Sequence, residues 1–175
     1  MCAVPDTAGP PPTPPPGAAE LHPALAPLAF LVGRWVGEGR GLWPARPPYR
    51  YREQLTFAHD GRLFLTYEQL TWELPGGQPR HREVGFLGAD GVGGLRWVAA
   101  QAIGLTEVAV ATAGGAACEV VSHAVARGAG AAPVTAVGRR WWREGARLHS
   151  LTRLGVNGEA LADHVRSLLA PDPGA

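Results

Sequence analysis

Six histidines, His22, His59, His81, His123, His149 and His164, are the side chains best able to do chemistry in this chain. No pair has the spacing of a metalloprotease helix or a zinc finger. The two cysteines, Cys2 and Cys118, are too few for a Cys-rich zinc site. A single histidine is still enough to hold haem iron, because the porphyrin supplies the other nitrogens. His164 has a fitting setting, near the end of the chain among Leu161, Val165, Leu168 and Leu169. Taken alone, it suits a surface or packed-core role as well. His81, in Pro79-Arg80-His81-Arg82-Glu83, reads by itself as a solvated strand end. Glu53, Glu68, Glu83 and Glu107 are scattered over strand-like stretches. There is no nucleophile elbow and no defensible Ser-His-Asp order.

The stretch Gly33-Arg34-Trp35-Val36-Gly37-Glu38-Gly39-Arg40-Gly41-Leu42-Trp43-Pro44 carries the most information. Strand side chains alternate faces, so Gly33, Trp35, Gly37, Gly39, Gly41 and Trp43 share one face. That face is bare backbone between two indoles. Glycine weakens a strand, so a row of them needs a reason. Either the strand bends hard to close a barrel, or something flat and bulky lies against it. The glycines alternate along a strand and do not open a helix, which excludes a dinucleotide-binding loop.

These residues need a scaffold, and the composition limits which one. The chain has 175 residues, 46% of them hydrophobic, enough for one domain with a proper core. Gly and Pro are abundant, at 24 and 17 residues, which suits a chain full of turns and not a helical bundle. A net charge of +1 argues against a dedicated nucleic-acid binder. No apolar run approaches the roughly 20 residues needed to span a membrane. With no secretory signal visible, a soluble cytoplasmic protein without a Cys2–Cys118 disulfide is expected. Residues 1–20 carry seven of the seventeen prolines and read as a disordered tail, with an SH3-like partner as a minor option. The folded part is then residues 21–170.

Within it, turn signals recur at Asp60-Gly61, Pro75-Gly76-Gly77, Asp90-Gly91, Gly114-Gly115, Glu144-Gly145 and Asn157-Gly158. Strand-like runs lie between them, including Arg62–Leu74, Leu95–Gln101, Leu105–Ala111, Cys118–Val125 and Val134–Arg143. The expected fold is all-β: a single antiparallel up-and-down barrel of about ten strands with one or two short helices. A short helical segment is expected within His22–Val32. A second is expected over Glu159–Leu169, where Leu161, Val165, Leu168 and Leu169 share a helical face.

Several further elements follow in order: Phe57-Ala58-His59, Leu65-Thr66-Tyr67, His81-Arg82-Glu83-Val84-Gly85-Phe86, Gly104-Leu105-Thr106-Glu107-Val108 and Gly158-Glu159-Ala160-Leu161-Ala162-Asp163-His164-Val165. Together with the glycine strand they resemble the nitrobindin family, haem-binding relatives of the fatty-acid-binding-protein barrels. The family motif Gly-x-Trp-x-Gly-x-Gly-x-Gly-x-Tyr-Pro is matched with Trp43 in place of Tyr. The resemblance covers nearly all of residues 22–170. It implies a ten-stranded barrel with one ferric haem b per chain, His164 as axial iron ligand, and His81 on the distal side. It also implies that Trp35, Gly37, Gly39, Gly41, Trp43 and Ala45 contact the cofactor.

The activity implied is haem-dependent isomerisation of peroxynitrite to nitrate through the iron on His164, with nitric oxide as a further ligand. Three departures stand out: Trp43 for Tyr, Ala45 for a haem-contacting Thr, and Ala160 for a Pro before the axial histidine. A lost hydroxyl contact costs about 0.5–1.5 kcal/mol, enough to loosen haem but not to abolish binding. The alternative from another class is a carrier barrel that holds an apolar, fatty-acid-like ligand without haem chemistry.

Overall fold

A computed structural model of the chain describes residues 19–43, 46–172 and 174. The expected tail lies outside the described residues apart from Ala19 and Glu20, and so do Cys2, Pro44 and Ala45.

Ten strands follow a short helical segment. They are β1 (Gly33–Trp43), β2 (Arg46–Ala58), β3 (Phe64–Leu74), β4 (Pro79–Ala89), β5 (Leu95–Gln101), β6 (Leu105–Gly114), β7 (Ala117–Arg127), β8 (Val134–Glu144), β9 (Arg147–Val156) and β10 (Ala162–Pro171). Each pairs antiparallel with its sequence neighbour, and β10 pairs with β1 to close the barrel. The turn chemistry matches the topology. Between β9 and β10, Asn157 and Gly158 both adopt positive φ, 55° and 85°, the left-handed pair that a tight hairpin turn requires.

Pro23–Leu31 forms a nine-residue 3-10 helix with Pro23 in its first turn. His22 caps it, its Nδ1 accepting the Ala24 N–H at 3.2 Å. Three residues per turn place every third residue on one edge. Leu25, Leu28 and Leu31 have that spacing, and all three are fully buried in the barrel core.

The helix expected over Glu159–Leu169 is not formed. Ala162–Pro171 is the closing strand β10. Without it, β1 and β9 would each present an unpaired edge, and pairing on both sides outweighs local helical preference. Burial follows the strand period: Ser167 and Leu169 are buried, while Arg166 and Leu168 are exposed.

The registers divide the interior into three layers. The first is apolar and aromatic: Trp35, Leu55, Phe57, Tyr67, Leu87, Trp97, Trp141 and Leu169, covered by the leucines of the 3-10 helix. Trp97 and Trp141 lie 5.5 Å apart between ring centroids, and the small Ala109 and Ala111 on β6 make room for them. One step further along the same strands comes a polar layer of Glu53, Gln69, Glu83, Glu107, Arg139 and Ser167, all buried. Beyond it the barrel is hollow.

Candidate functional site

The hollow layer is a cavity of about 590 Å³, within the range of cofactor and ligand sites. His164 reaches it through a break in the strand ladder. Asp163 pairs with Arg153 and Val165 with Thr152, so His164 is the extra residue of a β-bulge. In a regular strand His164 and Val165 would point to opposite faces. Here both line the cavity. β4 uses the same device. Thr71 pairs with His81 and Trp72 with Pro79, which leaves Arg80 as the extra residue. Pro79, Arg80 and His81 all line the cavity in consequence.

A register shift in β1 between Gly41 and Trp43 falls at Leu42. The Leu42 carbonyl accepts a hydrogen bond from His164 Nδ1–H at 2.6 Å. This sets the tautomer, with the proton on Nδ1 and the acceptor lone pair on Nε2. Burial holds the imidazole below its usual pKa. The Leu42 bond opposes that shift, and the charges of His81 and Arg80 reinforce it. A neutral, oriented imidazole is the form in which histidine binds a metal. Among the described residues no group of three or more His, Cys, Asp or Glu is arranged to hold a bare ion. A histidine on a large cavity would instead suit an iron that brings four ligands of its own in a porphyrin.

The floor of the cavity is the polar layer. Arg139 donates to Glu83 through Nε at 3.2 Å and Nη2 at 2.8 Å, and to Glu107 through Nη1 at 2.6 Å. Tyr67 donates to Glu83 at 2.5 Å, and Gln101 donates to Glu107 at 3.1 Å. His81 Nε2 lies 3.5 Å from Glu83 Oε2, a loose contact that ties the cavity histidine to the floor. Burial pushes the Glu83 pKa up, but Arg139, His81 and Tyr67 more than offset this and bring it down to about 2. Glu53 stands apart, accepting from Gln69 and Ser167. Burial dominates there and raises its pKa.

The structure thus brings His164 and His81 to one cavity. Trp35, Gly37, Gly39 and Gly41 are not among the residues that line it. Trp35 is in the aromatic layer, its indole N–H donating to the Leu31 carbonyl at 2.8 Å. A Cβ at Gly37 would strike the Leu168 carbonyl, at Gly39 the Tyr51 ring, and at Gly41 the Tyr49 ring. The flat groups lying against Gly39 and Gly41 are therefore this chain's own tyrosines, both of which line the cavity. The Trp43 side chain and Ala45 lie outside the described residues.

Sequence reasoning missed Tyr49, Tyr51, Arg80, Arg139 and the clustering of Glu83 with Glu107. A signal existed for some of them. Glu83 follows His81 by two on one strand face, and Arg139 precedes the apolar Trp141 by two.

Comparison with known proteins finds relatives over most of the chain. The family model described as a THAP4-like, heme-binding beta-barrel domain matches residues 24–170. "Peroxynitrite isomerase 2" of Mycobacterium avium is 37% identical over 155 residues, 86% of this chain and 96% of that protein. "Peroxynitrite isomerase 1" of Mycobacterium tuberculosis is 36% identical over 157 residues, again 86% of this chain and 96% of the relative. The crystal structure of Rv2717c from M. tuberculosis superposes with a TM-score of 0.78 at 32% identity, covering 87% of this chain and 99% of that one. Among the described residues, no helix is long and apolar enough to cross a membrane. The ten-stranded closed barrel and these matches together show that the chain belongs to the nitrobindin family of THAP4-like, heme-binding β-barrels.

Proposed function

We propose that this protein is a peroxynitrite isomerase that holds one ferric haem b on His164 and also takes nitric oxide as a ligand. The observation that carries the reading is His164 itself, turned into the cavity by a bulge and oriented by the Leu42 carbonyl. The curated relatives named for this activity, matched over 86% of the chain, support it.

Ferric haem bound there would supply the iron chemistry for rearranging peroxynitrite to nitrate. The chain's own groups hold and orient it. His164 supplies the protein's iron ligand, and the Leu42 bond keeps its ring in place and raises its basicity. Ile103, Leu105, Val134, Leu154 and Val165 give apolar walls that limit water. His81, tied loosely to Glu83, is a polar group that lines the same cavity as His164.

The floor weighs against the carrier reading. The buried Arg139 that could receive a fatty-acid carboxylate is already matched by Glu83 and Glu107. An alkyl carboxylate driven to the floor would meet two carboxylates of the protein.

The test is a hemin titration read in the Soret region, with the His164→Ala variant beside it. Saturation at one haem per chain, lost in the variant together with peroxynitrite turnover, is the expected result. Unchanged uptake and turnover in His164→Ala would defeat the proposal. A purified protein carrying lipid and refusing hemin would restore the carrier reading.

A further inference from the structure

Arg80 lines the cavity but belongs neither to the His164–Leu42 contact nor to the polar floor. The β4 bulge turns it inward beside His81. Its side chain is 30% exposed, whereas that of Arg82, two residues on, is 65% exposed. The guanidinium carbon lies 3.7 Å from the centre of the Tyr49 ring. That platform is built into the sequence, because only a glycine at position 41 leaves room for the Tyr49 ring. Stacking on a ring engages the face of a guanidinium and leaves its edge of N–H donors to other partners. Among the described residues, the acid paired with Arg80 is Glu73, through one long contact of 3.4 Å to a half-exposed carboxylate. Arg139, the other cavity arginine, is by contrast fully engaged by two buried carboxylates.

We propose that Arg80 is the anion-recognition residue at the rim of the cavity, its guanidinium edge receiving a carboxylate or small oxyanion held beside His81 and His164. A planar fork of donors matches either group. The source of the anion rests on the haem reading: it is a propionate of the porphyrin or the oxyanion substrate.

The test has an arm free of haem. In the apo protein, sodium propionate and sodium nitrite are titrated while the Arg80 Nε–H NMR resonance is followed, identified by its loss in Arg80→Gln. A saturable shift is expected at Arg80, with Arg82 responding only to ionic strength. Arg80 moving no more than Arg82 would overturn the proposal.

A second arm separates the sources. If the porphyrin supplies the carboxylate, Arg80→Gln weakens hemin about tenfold and leaves hemin dimethyl ester unaffected. If the substrate supplies it, hemin affinity holds. The loaded variant then binds nitrite about tenfold more weakly while neutral imidazole binds as before. Hemin, ester and nitrite all binding the variant as they bind the wild type would also overturn the proposal. A wild-type protein that takes up no hemin defeats the haem reading instead, and the NMR arm alone then decides the role of Arg80.

Discussion

Arg139 Nη2 lies 2.8 Å from Glu83 Oε2, with both side chains almost wholly buried. The pair sits between the aromatic layer and the cavity, so it belongs to the stability of the barrel and to the floor of the site. A buried cation is tolerated only when its partners are in place, and here Glu107 completes the match.

Breaking that match should be costly. Arg139→Met leaves Glu83 and Glu107 buried without their counter-charge, with an expected loss of about 3–5 kcal/mol in urea unfolding. Combining Arg139→Met with Glu83→Gln should cost less than the sum of the two single changes, because the residues share one network. Strict additivity would show that the floor does not act as a unit.

The same carboxylate gives the barrel an acid limit. Glu83 has a folded pKa of about 2 against an ordinary 4.5. A depressed carboxylate stabilises the fold above its unfolded value, and that contribution fades as pH falls through the folded one. The melting temperature should therefore drop between about pH 4.5 and 2. Glu83→Gln should lie well below the wild type at neutral pH and approach it across that window. Glu53 runs the other way: its raised pKa favours the protonated form, so its contribution is full below the ordinary value and lost as pH rises through the folded one. A melting temperature that is flat from pH 5 to 2 would contradict the role of Glu83.

Gly39→Ala tests the tyrosine packing. The added Cβ would meet the buried Tyr51 ring, and overpacking of this kind costs about 1–3 kcal/mol. Adding Tyr51→Ala should relieve part of that cost, so the double variant should be more stable than additivity predicts. Hemin affinity should fall with Gly39→Ala as well, since Tyr51 lines the cavity.

Cys118 should be inert in the folded protein. It is buried in the aromatic layer, and burial pushes its thiol pKa up to about 12. Thiol reagents at pH 8 should label it at the rate of global unfolding and faster only in denaturant. Rapid stoichiometric labelling of Cys118 under native conditions would show that the barrel opens locally at β7.

Much of the architecture was legible in the residues. The glycine-bearing turns, such as Asn157-Gly158, force the chain to reverse, and the alternation in β6 from Leu105 to Ala111 separates an inner from an outer face. The role proposed for His164 as haem ligand rests on the surrounding family motifs, not on its own neighbours in the chain. Its conformation was misread. Leu161, Val165, Leu168 and Leu169 suit a helical face as a set, yet Leu168 is exposed in β10 while Leu169 is buried. Local spacing carries no information on whether β1, far away in sequence, is waiting for a partner.

The sequence by itself determined the number and direction of the strands and the face that carries the glycines. These depend on steric limits and polarity that act within a few residues of each other. Tertiary structure alone decided what covers the glycines and what forms the floor of the cavity. Tyr49 and Tyr51 lie opposite Gly41 and Gly39 only through the β1–β2 register. Arg139 meets Glu83 and Glu107 from strands 56 and 32 residues away. The bulges that aim His164 and Arg80 inward are one-residue mismatches between paired strands. A mismatch is a property of two strands together, which neither strand encodes alone.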